Sequence, residues 1–359
     1  METRYTELAT RLQKKHEVHV FTLRQKPYYG RPIPSEEDDE GVLVHRVMDG
    51  NDYFVRNGTR DLTKVAKFVY KCLHGLRNWD LDVIVLSEWP LVHVPPVAFL
   101  NHSTCIADWH EVWDSLYITY GLTGMGGYAL ERMVSRMNSL KHVAVSRFTK
   151  ERLHKILGIK QQVPVVSNGI DLREFDRVPE DREWGKIVFF GRFVPHKNVP
   201  LLFEAKQMLE DRGLHIELHI IGDGPLRDMI EQVARDHSRV TVHGPVSRQE
   251  LIGHLKSAWA VAIPSTREGQ GISFIEAMAA GALVVAAKSP HSAVEELVSH
   301  GINGFVVPPS SIRIADCIEL VLRDEPLWNR MRKAGHETSR NYDWEESVVV
   351  LERTMRSSL

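Results

Sequence analysis

Two glutamates flanking a glycine-rich turn are the residues in this chain whose types and spacing could do chemistry. They lie in Arg267-Glu268-Gly269-Gln270-Gly271-Ile272-Ser273-Phe274-Ile275-Glu276, with seven residues between Glu268 and Glu276. The apolar run Ala258–Ile263, closed by Pro264, comes just before. That order reads as a buried strand, a turn, and a helix starting near Ser273. Gly269 and Gly271 let the backbone come close to a ligand, and a helix start offers free N–H groups and a positive dipole end. An anion, foremost a diphosphate, suits the backbone of Gly269, Gln270, Gly271, Ile272 and Ser273. Each carboxylate accepts hydrogen bonds from vicinal hydroxyls, so the spacing would hold a sugar ring on either side of that diphosphate. A turn with two solvated glutamates is the plain alternative, and the pattern alone leaves it open.

Cations that could share the anion lie in a second turn. Lys186–Phe190 reads as a strand opening into Gly191-Arg192-Phe193-Val194-Pro195-His196-Lys197. Arg192 and Lys197 then sit at a strand-to-helix turn, where guanidinium and ammonium groups would hold a diphosphate and offset its charge as it leaves. Asn198 is placed to cap the next helix. A third candidate is His110, directly after the predicted strand Thr104–Asp108. Residues at the carboxyl ends of parallel strands face the ligand crevice in such sheets, and an imidazole there can hydrogen-bond a sugar hydroxyl. A surface or structural histidine is the competing reading. Asp108 and Glu111 lie beside it, but they form no metal triad, and no metal ligand is assigned.

These stretches, together with Gly222-Asp223-Gly224-Pro225-Leu226 and Ser167-Asn168-Gly169-Ile170-Asp171, resemble the retaining GT-B glycosyltransferases of the family 4 type, also called glycosyl transferases group 1. The resemblance runs along nearly the whole chain. It implies an α/β fold of two Rossmann-like doubly wound domains facing across a cleft, with a last helix crossing back to the first domain. It implies transfer of a sugar from a UDP- or GDP-sugar to an acceptor in glycan, glycolipid or polysaccharide synthesis, with retention of configuration and no cofactor or metal. In that scheme Glu276 binds the ribose hydroxyls and Glu268 a hydroxyl of the transferred sugar. His110 positions that sugar and shields the transition state, and the turn at His243-Gly244 lies against the nucleobase. The leaving phosphate helps to deprotonate the acceptor on the same face. The resemblance also places a strand and a glycine-rich loop before the first helix. Met1-Glu2 stand where that loop ends, so the chain as given is expected to lack them. A catalytically impaired nucleotide-binding subunit and a nucleotide-sugar epimerase are the rival readings.

Composition sets the frame for these residues. A chain of 359 residues exceeds one ordinary core, so two domains are expected. They are placed at 1–170 and 171–341, with the closing helix in 342–359. A net charge of −2 gives no basic field for nucleic acid. Cys72, Cys105 and Cys317 form no C-x-x-C pair, and no apolar run reaches membrane-spanning length. Cytoplasmic location is the expectation. Arg147–Lys160, with five cations beside Leu153, Ile156, Leu157 and Ile159, adds peripheral contact at the inner membrane surface to it, though a solvated helix face explains the same pattern.

The remaining elements follow from periodicity. Thr3–Lys15, Asp61–Arg77, Ala129–Leu140 and Trp344–Arg356 read as helices, and Glu17–Leu23, Val42–Val47, Leu81–Leu86, His142–Val145 and Val163–Val166 as strands. The Pro-, Gly- and acid-rich stretch Gln25–Glu40 reads as a loop, as does Tyr117–Tyr128 with its four glycines. Gly222-Asp223-Gly224 is read as a structural turn.

Overall fold

Short runs of β-branched and aromatic residues become strands here, and most of them pair in parallel. The computed structural model describes residues 2–24, 34–50, 62–88, 91–100 and 102–357. The chain divides into two compact units. One holds residues 1–145, 149–166 and 344–359, and the other holds 146–148 and 167–343.

In the first unit the strands are β1 (Val18–Arg24), β2 (Glu36–Asp39), β3 (Val42–Asp49), β4 (Val83–Ser87), β5 (Thr104–Trp109) and β6 (Leu140–Ala144). They form two three-stranded sheets, ordered β1-β3-β2 and β4-β5-β6. All pairings are parallel except β2 with β3. Leu86, Ala107, Trp109, Leu140 and Leu153 belong to its buried core. The C-terminal helix Trp344–Arg356 belongs to this unit, where Glu352 meets Lys15 at 3.1 Å and His16 at 3.2 Å.

Three expectations fail in this unit: Val163–Val166 is no strand and makes a single bridge, Val165 to Ala144, and two longer stretches differ as well. Of the loop expected at Gln25–Glu40, residues 25–33 lie outside the described residues, and Glu36–Asp39 is a strand. Its side chains are all exposed, so hydrophobic pattern gave no sign of it. Glu40 and Gly41 both have positive φ, 52° and 89°, which suits a two-residue hairpin turn into β3. Glu37 pairs with Arg46 at 2.6 Å across it, and the charged edge resists pairing with other chains. The second of these stretches is Tyr117–Tyr128. It continues a 3₁₀ turn, Asp114–Tyr120, into the helix Gly121–Ser135. Two of its four glycines serve close packing. A Cβ on Gly124 would lie 1.7 Å from the Tyr117 carbonyl oxygen, and one on Gly127 would lie 2.5 Å from the Tyr117 ring.

The second unit carries β7 (Lys186–Phe190), β8 (Glu217–Ile221), β9 (Val240–His243), β10 (Ala260–Ile263), β11 (Arg267–Glu268), β12 (Leu283–Ala287), β13 (His291–Ser292) and β14 (Gly304–Val307). Six of them make one parallel sheet in the order β14-β12-β10-β7-β8-β9. Both faces are covered, and the alternation along β7 shows how. Ile187 and Phe189 enter one core with Leu202, Phe203 and Ile318, while Val188 and Phe190 enter the other with Leu255, Phe274 and Ile275. A strand buried on both sides is apolar throughout, as β10 and β12 are and as β7 is after Lys186. Burying one such phenylalanine contributes about 1.5–3 kcal/mol. The architecture is thus α/β with Rossmann-like doubly wound sheets. Among the described residues, no helix is long and apolar enough to cross a membrane.

Candidate functional site

The second unit brings the two predicted turns together. The loops after β7 and β10 leave neighbouring strands on the same sheet edge, and the Thr266 N–H donates to the His196 carbonyl at 2.8 Å. That contact places Lys197 against Glu268, with Nζ donating to Oε1 at 2.5 Å. Glu268 is only 8 % exposed. Its backbone is fixed from the other side by β13, where the Ala293 N–H donates to the Glu268 carbonyl at 2.8 Å.

A cationic cluster gathers at this loop. Burial depresses the His196 imidazole to about 3, and Arg267, Lys197 and Arg192 push it further the same way. His196 therefore stays neutral at neutral pH, with Arg267 Nη2 3.3 Å from its Nδ1. Arg192 is exposed at the mouth of the loop. The loop itself is braced by the turn after β8. The Gly191 N–H donates to the Ile221 carbonyl at 3.0 Å and the Phe193 N–H to the Asp223 carbonyl at 2.8 Å. A Cβ on Gly222 would lie 2.0 Å from the Gly191 carbonyl oxygen, so the glycine pair here is structural, as expected. Asn198 does not cap the next helix. It takes a left-handed conformation, φ 55°, at the end of the 3₁₀ turn Pro195–Lys197.

Gly271 gives the turn its shape. It precedes the helix Ile272–Ala279 at φ 84°, ψ 70°, and a Cβ there would meet the Phe274 ring at 2.5 Å. Gln270 is buried, and its side chain is spent on the backbone of Asn168, accepting from N–H at 2.6 Å and donating to C=O at 3.4 Å. The Ser146 hydroxyl donates to the Gly269 carbonyl at 2.5 Å. The Gln270 side chain is thus engaged away from the anion role that the spacing suggests for this stretch. Glu276 is buried in the helix, and its carboxylate pairs with the Arg248 guanidinium, which also holds Glu174 at 3.0 Å. Burial raises the Glu276 pKa and Arg248 opposes that rise. His243 and Gly244 stand at the end of β9, with Arg227 Nη1 3.4 Å from where a Gly244 Cβ would be.

The first unit holds His110, just past the end of β5. Two buried carboxylates fix its loop. Glu88 accepts from the His110 and Glu111 N–H groups, both at 2.7 Å, and Glu131 accepts from Trp113 and Asp114 at 2.8 and 2.9 Å. Burial pushes both carboxyls above their usual range, with Glu111 adding to the rise at Glu88. Asp108 is occupied elsewhere, bound by Arg4 through two bonds of 2.9 and 3.0 Å. Against the burial that would raise it, Arg4 holds the Asp108 carboxyl well below the carboxylate range. His110 Nε2 lies 3.4 Å from the Tyr5 hydroxyl and 3.6 Å from Asp108. Burial lowers the His110 pKa despite Asp108, so the ring is neutral at neutral pH. Its chemistry is that of a hydrogen-bonding group and not of a cation.

Sequence reasoning missed Arg4, Tyr5, Glu88, Glu131, Arg248 and Arg267. Arg267 alone had a visible signal, being next to Glu268 in the central stretch.

Comparison with known proteins identifies the family. Residues 172–338 match the family described as glycosyl transferases group 1, and residues 1–174 match glycosyltransferase family 4. An uncharacterized glycosyltransferase from Methanocaldococcus jannaschii is 31 % identical over 92 % of this chain and 87 % of its own length. The phosphatidyl-myo-inositol mannosyltransferase of Mycobacterium tuberculosis is 30 % identical over 88 % and 82 %. Among solved structures, sucrose-phosphate synthase from Thermosynechococcus elongatus superposes with a TM-score of 0.81 at 18 % identity, over 98 % and 91 % of the two chains. That similarity carries the GT-B fold.

Proposed function

This chain belongs to glycosyltransferase family 4, a family of nucleotide-sugar-dependent transferases, and we propose that it moves a hexose from a UDP- or GDP-sugar with retention of configuration. The observation that carries the reading is the ion pair of buried Glu268 with half-buried Lys197, set beside Arg192 and Arg267 at the glycine turn. The diphosphate takes the N–H groups of Gly269–Ser273 and draws on Lys197 and Arg192, with Arg267 adding to the field. Glu276 takes the ribose hydroxyls, its carboxylate oriented by Arg248. Glu268 takes a hydroxyl of the sugar. His110, neutral, serves as a hydrogen-bonding group toward that sugar.

In the step itself the bond from the anomeric carbon to the diphosphate oxygen breaks, and the acceptor oxygen bonds to that carbon on the same face. The acceptor proton passes to the departing phosphate, and the cations stabilise the charge that develops there, so no metal is required. The named mannosyltransferase acts on phosphatidyl-myo-inositol, which supports a glycan or lipid-linked acceptor. The basic stretch Arg147–Lys160 is the proposed contact to such a surface. Within it the Arg152 guanidinium turns inward to the Val112 carbonyl at 3.0 Å, and the helix ends at Lys155, which leaves a smaller basic face than the sequence suggests.

The test is a thermal-shift panel of UDP, GDP and ADP with their sugar conjugates, followed by NMR of the product's anomeric proton. A rise in Tm with a uracil or guanine nucleotide and a retained anomeric configuration are expected. An inverted product would refute retention, and no shift with any nucleotide would refute the donor site.

A further inference from the structure

We propose that His219, His243 and His254 form a binding site for a single late first-row transition ion, with Zn²⁺ as its reference ligand. His219 lies in the middle of β8 and His243 at the end of β9. The register pairs His219 with Thr241 and Ile221 with His243, so the two histidines project from one face of the sheet as diagonal neighbours. His254 comes from the helix Arg248–Ser257, with ring centroids 4.6 Å from His243 and 5.7 Å from His219. One nitrogen from each of the three rings falls within 4.8 Å of the others.

The geometry is close to that of a bound ion. His219 Nδ1 and His243 Nε2 lie 3.0 Å apart. Two nitrogens bound tetrahedrally at Zn–N lengths of about 2.0–2.1 Å stand roughly 3.3 Å apart, so a small opening of the rings suffices. A second observation supports the assignment. Glu217 Oε2 lies 3.7 Å from His219 Nε2, so a carboxylate stands beside the ring nitrogen that does not face His243 and a small side-chain rotation would let it accept that N–H. The nearby cation, Lys186, is paired with Glu183 at 2.6 Å. All three rings are half-buried, so water can complete the coordination. Imidazoles alone favour zinc, copper, nickel or cobalt over magnesium or calcium.

The ion would tie β8 and β9 to the helix that begins at Arg248, the residue holding Glu276. It uses the His243 side chain and leaves the backbone of Val242–Pro245 to other contacts. Its role is structural and does not depend on the proposed reaction, because the readout is metal content.

The experiment treats the full chain with EDTA, dialyses it against Zn²⁺ and measures retained metal by atomic emission, with melting curves alongside. The unaltered chain and the exposed control His102→Gln should retain a single ion and melt higher with it. Zn²⁺ affinity should fall at least about 100-fold in His254→Gln and about 10- to 100-fold in Glu217→Gln, where only the outer partner is lost. His219→Gln should repeat the His254→Gln result, so a folding defect in one variant does not decide the matter. Equal retention in the histidine variants, or none in the unaltered chain, would overturn the site.

Discussion

Replacing Lys197 by methionine isolates the cation that the site depends on most. The ammonium group is 2.5 Å from Glu268 Oε1, with side-chain exposures of 16 % and 11 %, so water screens the pair only in part. A hydrogen bond to a charged group contributes about 1.5–3 kcal/mol. If Lys197 passes part of that bond to a bound diphosphate, methionine should weaken nucleoside diphosphate binding by about 10- to 150-fold. Glu268 would also keep its buried position without its cation, so the variant should lose about 1–3 kcal/mol of stability. Isothermal titration at a temperature where the variant remains folded separates the two effects. Unchanged affinity in a folded variant would mean that Lys197 serves Glu268 alone, and the reasoning would fail.

Further outcomes follow from single residues. Gly271→Ala should cost about 1–3 kcal/mol, because φ is 84° and the new Cβ would meet Phe274, and nucleotide binding should fall with it; melting and titration read the two losses. His142 is buried with its pKa depressed to about 4, and its Nδ1 accepts from Trp109 Nε1 at 2.9 Å. Unfolded, it titrates near 6.5, so between about pH 6.5 and 4 the unfolded chain binds more protons and stability falls as pH falls. The full swing is about 3 kcal/mol, and denaturant unfolding across that range should show a shallower acid slope in His142→Gln.

The second unit was largely legible because its strands are buried on both faces and its turns carry glycine. β7 and β8 run as the apolar pattern indicates, and the helix after Gly271 begins within a residue of Ser273. The first unit was harder to read. The acidic strand β2 buries no side chain and exists through backbone pairing. The helix Gly121–Ser135 keeps Gly124 and Gly127, which propensity counts against it, since they admit Tyr117. The helix at Arg147 stops at Lys155, short of Lys160, and Gly158 follows in a left-handed conformation, φ 72°. Glu88, Glu131 and Arg248 act on partners many residues away. An isolated charge has no spacing to reveal such a partner, and only the folded sheet brings the pair together.

The central claim is that the second unit holds a nucleotide sugar with Glu268 directed at the sugar and not at the nucleotide. Single-turnover transfer by Glu268→Gln, measured together with its nucleotide affinity, tests that claim most directly. The account predicts nucleotide binding at least as tight as in the unaltered chain, because Lys197 is released from its ion pair, together with transfer slowed by about 100-fold or more. Transfer at the unaltered rate would contradict it.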